Sequence, residues 1–307
     1  MNLIPDGIIA VKKAGSKEGR GFTSHDVVGK ARRLFMTRAV GHTGTLDPMA
    51  EGVLVLLIGR ATKCERFLTS DSKEYVAGLK LGITTDTEDI TGEVLTRSDS
   101  LPSKEAVKEA VLSFLGESEQ IPPMYSAVKV GGKKLYEYAR EGKEIERAAR
   151  KITVSRMECT PVNEEEGEYL LTCSVSSGTY IRTLCADIGK KLGVGGVMTS
   201  LLRSRAGLFS LSDCVTLEEL EGMSYEERLE KLIPPEKVLS GERITLPEFY
   251  ERLYLSGCEI YQKKIKTSFP VGSHVLVYGK DGKFLSYGTV RDFADGSAIK
   301  SEILFGV

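Results

Sequence analysis

Gly41-His-Thr-Gly-Thr-Leu-Asp-Pro-Met-Ala-Glu-Gly52 packs three glycines and a proline into 12 residues around the carboxylate of Asp47. Such a segment is a loop whose backbone path is tightly fixed. It contains neither G-x-x-x-x-G-K-[ST] nor G-x-G-x-x-G, and an acid in its middle repels phosphate, so it does not read as a nucleotide-cradling loop. Taken alone, Leu46-Asp47-Pro48 reads as an Asx turn in which Asp47 bonds its own backbone. The loop divides a helix from a strand. Before it, Ser24 is expected to cap a helix running to about Arg38, with Val27, Val28, Ala31, Leu34 and Phe35 as its apolar stripe. After it, Val53 to Ile58 is a short apolar run of strand character.

Further out, Gly7 to Val11 reads as a buried strand, while Lys73 to Leu81 and Leu170 to Ser176 alternate as strands with one buried face. Ser103 to Leu115 is a capped amphipathic helix ended by Gly116, and Tyr180 to Leu192 carries Ile181, Leu184, Cys185, Ile188 and Leu192 at helical spacing. Thr216 and Glu219 form a capping box opening an acidic helix. Strands and helices interleave irregularly, which predicts an α+β fold: a mixed, largely antiparallel sheet with flanking helices. Pro234-Pro235 marks a boundary near residue 240. This gives a large domain over 1–239 and a small β-rich domain over 240–307, with strands near His274 to Tyr278, Phe284 to Val290 and Ala298 to Phe305.

The 307 residues carry a net charge of −1, which does not by itself advertise a nucleic-acid binder. The charge is segregated, however. Lys129 to Lys151 holds eight basic residues against four acidic ones, interleaved with Tyr136 and Tyr138. Local patches, not net charge, attract phosphates, although such a run also suits a solvated helix face. The six cysteines are scattered without a C-x-x-C pair, so neither a zinc site nor a disulfide framework is expected. No apolar run approaches the roughly 20 residues of a membrane span, and no signal peptide is legible, so a cytoplasmic location is expected.

The signature Gly41 to Leu54 closely resembles the G-H-x-G-x-L-D-P-x-A-x-G-x-L pattern of the bacterial tRNA pseudouridine-55 synthase family. Further matches follow in order: Lys73-Glu-Tyr75, Leu81-Gly82, Thr85-Asp-Thr-Glu-Asp89, Gln120-Ile-Pro-Pro-Met-Tyr-Ser-Ala-Val-Lys129, Lys134 to Gly142, Gly178-Thr-Tyr-Ile-Arg182 and Leu201 to Gly207. The resemblance covers about residues 7 to 210. It implies isomerisation of uridine 55 in the tRNA T-arm stem-loop, without cofactor, metal, ATP or an obligatory protein partner. It also implies Asp47 as the catalytic residue, either attacking C1′ or taking the 2′ proton.

Arg182 then pairs with Asp47, Tyr75 stacks on the base and is a candidate for removing the C5 proton, and Tyr180 and Leu201 line the pocket. His42 fills the gap left by flipped T-loop nucleotides, and Lys13, Lys129, Lys133 and Lys134 are RNA contacts, the last three on a thumb-like insertion at about 120–152. Read without the resemblance, Arg182 is a solvated charge, Tyr75 a cross-strand aromatic and His42 a local hydrogen bonder. Two departures stand out. The family's N-K-P-x-G motif appears here as Lys12-Lys13-Ala14-Gly15 followed by extra residues, and residues beyond 240 match the family's PUA-type RNA-binding domain only weakly. The rivals are a guide-RNA-dependent pseudouridylase core and an RNA-binding or tRNA-folding protein.

Overall fold

The computed structural model describes residues 5–15, 22–68 and 72–305. The extra residues of the N-terminal segment, 16–21, lie outside the described residues. The strands of the main sheet run in the order Gly7–Lys13, Glu51–Ile58, Gly196–Ala206, Lys73–Leu81, Glu168–Val175, Arg150–Asn163 and Gly116–Gln120. Neighbours along this path are antiparallel, except that Glu51–Ile58 and Gly196–Ala206 pair in parallel. The mixed, largely antiparallel sheet expected from irregular interleaving is present.

The apolar run at Val53 to Ile58 has a physical cause. Leu54, Leu56 and Ile58 point into the core beneath the helices, whereas Val53, Val55 and Leu57 point to the opposite face. A strand covered on both faces has no reason to alternate. The opposite face is covered by a second, five-stranded sheet: Glu242–Thr245, His274–Tyr278, Phe284–Phe293, Gly296–Leu304 and Ile260–Tyr261. Leu276, Phe284, Tyr287 and Ile303 of this C-terminal β domain share one apolar cluster with Val53, Val55 and Leu57. The Tyr287 hydroxyl donates to Ser240 O at 2.7 Å.

Two helix boundaries differ from the sequence reading. The first helix is Ser24–Leu34 and its cap is Thr23: Asp26 N donates to Thr23 Oγ1 at 3.1 Å, and Thr23 N donates to the Asp26 carboxylate at 2.9 Å. Ser24 is buried instead, its hydroxyl donating to Leu46 O at 3.1 Å and accepting from Leu46 N at 2.8 Å. This ties the helix to the signature loop. Met36, at φ 50°, turns left-handed and stops the helix before Arg38. The helix after Ser103 is Lys104–Leu112, shorter than expected.

Between the paired strands Gly116–Gln120 and Arg150–Asn163 the chain makes a long excursion. It contains a two-stranded hairpin, Lys129–Val130 with Lys133–Lys134, and the helix Leu135–Arg140. No helix among the described residues is long and apolar enough to cross a membrane.

Candidate active site

Asp47 sits between strands Val40–His42 and Glu51–Ile58, in a loop that turns back over the end of the main sheet. Its carboxylate does not form the Asx turn that Leu-Asp-Pro suggests. It is held in a fork by Arg182, with Nε donating to Oδ2 at 2.9 Å and Nη2 to Oδ1 at 3.2 Å. Two parallel charge-assisted bonds fix both position and direction. The Asp47 side chain is one-third exposed (33%), enough for one edge to face the cavity.

Arg182 lies in the first turn of helix Ile181–Lys191, where the helix dipole disfavours a cation. The site overcomes this locally. The guanidinium is buried and donates also to Thr87 O at 3.0 Å and to Tyr125 O at 2.9 Å, and Asp89 lies at 4.0 Å. Asp89 is in turn held by the hydroxyls of Thr87 and Thr91 and by Thr91 N. One side chain thus joins the signature loop, the loop at 85–91 and the start of the excursion. The helix end is closed by Gln120, whose side-chain amide accepts from Tyr180 N at 2.8 Å and donates to Tyr180 O at 3.0 Å.

Around the Asp47–Arg182 pair is a cavity of about 390 Å³, within the size range of small-molecule sites. Tyr75, Tyr180 and Leu201 all line it, so five expected residues converge. Tyr75 stands on strand Lys73–Leu81 at an inward position of its alternation and is buried. Burial raises its phenol pKa, and the charge and hydrogen bond of Arg203 pull the other way. Leu201 faces Ala77 and Arg203 faces Tyr75 across the adjacent strands.

Five expected RNA contacts fall elsewhere. Lys13 is not placed to touch RNA: it is wholly buried, and its ammonium donates to Ala14 O at 3.1 Å, Pro48 O at 3.0 Å and Ala50 O at 2.7 Å. It holds up the signature loop from beneath. Burial pushes its pKa down to about 8, with Asp47 and Glu51 opposing the shift. Lys129, Lys133 and Lys134 sit on the excursion hairpin. Lys133 pairs with Glu141 and lies 4.7 Å from the Tyr138 ring, while Lys134 lies 5.4 Å from the Tyr136 ring. Tyr136 itself reaches the cavity wall. His42 is outside the cavity lining, half-buried on strand Val40–His42, and burial and the Arg203 charge lower its pKa.

Comparison with known proteins accords with this geometry. The pattern of the TruB family pseudouridylate synthase N-terminal domain matches residues 32–181, and that of the tRNA pseudouridylate synthase B C-terminal domain matches 182–240. The chain is 46% identical to a tRNA pseudouridine synthase B of Alkaliphilus oremlandii, covering 89% of this chain and 90% of that protein. The chain belongs to the TruB family of pseudouridylate synthases.

Its likeness to the tRNA pseudouridine synthase B of Bacillus pumilus is 50% over 72% of this chain and 74% of that one, and to that of Clostridium kluyveri 42% over 94% and 96%. Among solved structures, a chain of an H/ACA RNP bound to a substrate RNA containing 2'-deoxyuridine superposes with a TM-score of 0.69 at 22% identity, covering 99% of this chain and 86% of that one. A chain of a Cbf5-Nop10-Gar1 complex gives 0.69 at 23%, with the same coverage. At such identity the likeness establishes the fold. The division between the two TruB sequence patterns at 181/182 does not follow the architecture, since strand Gly196–Ala206 lies inside the main sheet.

Sequence reasoning passed over Arg203, Asp89 and Lys73. Arg203 and Lys73 line the cavity, and Asp89 braces Arg182. All three lie within motifs the sequence displays. Arg203 is the next inward position after Leu201 on strand Gly196–Ala206, a strand the sequence reading did not assign.

Proposed function

We propose that this protein isomerises uridine 55 in the T arm of tRNA to pseudouridine, with Asp47 as the catalytic residue. The observation that carries the reading is the Asp47 carboxylate, aimed by a buried Arg182 into a cavity that Tyr75 closes on the opposite strand. In the reaction the N1–C1′ bond breaks, the base turns, and C5 bonds to C1′. The C5 proton leaves and N1 gains one, so atoms and electrons balance without a redox partner. A fixed carboxylate can form the covalent sugar adduct or take the 2′ proton; both need it held near C1′. Removal of the C5 proton by Tyr75 requires the phenolate, which burial opposes and Arg203 favours.

The excursion at about 120–152 acts as an RNA-gripping thumb in this reading. Its tyrosines and cations supply stacking and phosphate contacts. The β domain beyond residue 240 serves as a PUA-like RNA-binding unit, and the enzyme works in the cytoplasm without a guide RNA or a protein partner. Purified protein should release tritium from C5-labelled uridine in a T-arm hairpin, with EDTA present and no nucleotide added. Asp47→Asn should bring this release below detection while RNA affinity changes by less than about tenfold. Near-normal turnover by that variant would falsify the assignment. Activity that appears only with an added guide RNA would favour a guide-dependent pseudouridylase instead.

A further inference from the structure

Arg203 is 1% exposed, yet its guanidinium lies in the wall of the cavity. Its Nε donates to Val53 O at 2.7 Å and its Nη2 to Gly44 O at 3.0 Å. The Arg203 charge also acts on the Tyr75 hydroxyl, and the two residues are direct partners across neighbouring strands. Gly44 lies three residues before Asp47, and Val53 follows the loop's last glycine, Gly52. One rigid, planar fork therefore clasps the signature loop on both sides of Asp47, beside the tyrosine on the facing strand.

The strand carrying Arg203 runs close against the end of the loop: Gly52 has φ +104°, and a Cβ there would stand 2.2 Å from the Arg203 carbonyl oxygen. The two carbonyl acceptors lie on opposite sides of Asp47 along the chain, and a lysine ammonium, a point donor on a flexible stem, does not reproduce the fork that spans them.

We infer that Arg203 is a positioning residue for the isomerisation, fixing the Tyr75 hydroxyl and the signature loop in one frame so that Asp47 and Tyr75 address the sugar and the base of the same nucleotide. This rests on the isomerase reading above. Arg203 acts through its two neighbours and takes no part in bond changes.

The test uses full-length Arg203→Met and Arg203→Lys with a C5-tritiated T-arm hairpin at saturating RNA. Single-turnover release, RNA Kd, the folded fraction by circular dichroism, and the pH–rate profile are all measured. The rate of Arg203→Met, corrected for folded fraction, should fall about a hundredfold, as expected for a displaced reacting group, while Kd stays within about threefold. Arg203→Lys should recover less than about a tenth of the lost rate, because charge without the fork does not restore the frame. The ascending limb of the profile, along which the Tyr75 phenolate forms, should move to higher pH in Arg203→Met, since the cation that favours the phenolate is gone.

A corrected rate within about threefold of wild type, or a loss that appears in Kd instead, overturns the proposal. An unshifted ascending limb overturns the link to Tyr75. If Arg203→Met fails to fold, Arg203→Lys carries the same measurements, with a rate near wild type overturning the inference. A wild-type protein that releases no tritium refutes the isomerase reading itself, a result distinguishable from any of these.

Discussion

The signature loop and the hairpin at Lys129 to Lys134 are both glycine-bearing, polar segments. Their charges are used in opposite ways. Around the loop each cation is buried against acceptors: Arg182 on Asp47, Thr87 and Tyr125, Lys13 on Ala14, Pro48 and Ala50, Arg203 on Gly44 and Val53. On the hairpin Lys129 is exposed, and the ion pair of Lys133 with Glu141 lies at the surface. Buried, oriented charge fixes a geometry in advance of substrate; surface charge is screened and exchanges partners readily. The first arrangement suits bond rearrangement at one atom, the second suits holding a flexible polyanion.

The largest break in this contrast should come from Arg182→Met. It leaves Asp47 unpaired and two carbonyls without their donor, so turnover should fall about a thousandfold. Stability should drop by about 3 kcal/mol, the lower end for a broken buried pair because Asp47 is partly exposed. Urea melts and single-turnover assays check both figures, and a variant with intact stability would show that the hub does not tie the three segments together.

A smaller effect, confined to binding, is expected on the hairpin. Lys129→Ala should reduce the slope of log affinity against log salt by about 0.7–0.9, the value for one phosphate contact. Lys133→Ala should change it by roughly half as much or less, because Glu141 already shares that charge. Saturating single-turnover rates should stay near wild type in both. Equal slopes for all three proteins would return the hairpin to a solvated face without an RNA role.

The smallest effect concerns His42, which is half-buried and belongs to neither group. Its folded pKa lies below the usual 6.5, mainly through burial. As pH falls below 6.5 the unfolded chain therefore takes up the proton first. The contribution of His42 to stability is complete above that value and is lost as pH falls through the folded pKa. Between pH 7 and pH 5 wild type should lose more stability than His42→Gln in paired urea melts. Parallel losses in the two proteins would show that the imidazole does not titrate against the fold.

Much of the site was legible because motif chemistry is local. Asp47 stands out as a carboxylate framed by glycines, Tyr75 falls on the inward phase of an alternating strand, and Leu201 lies within a motif that matches the family. Lys13 was misplaced for the reason that Arg203 was missed. A lysine or arginine in sequence looks solvated, and nothing in the residues nearby tells that backbone carbonyls from distant segments surround it. Thr23 and Ser24 show the same limit at close range. Both are good caps by type, and Ser24 is taken out of that role by Leu46, 22 residues away.

By itself the sequence determined several of the elements, their periods and the family, since apolar spacing, turn residues and an ordered set of motifs survive without coordinates; strands Gly196–Ala206 and Arg150–Asn163 emerged only in the fold. Tertiary structure alone decided which cations are buried, that Arg182 gathers three segments, and that the C-terminal sheet shares a core with the back of strand Glu51–Ile58. Those properties arise from pairing across long stretches of chain, as in Arg182 with Asp47 and Arg203 with Gly44. Spacing along the chain carries no record of which donors and acceptors meet when the sheet closes.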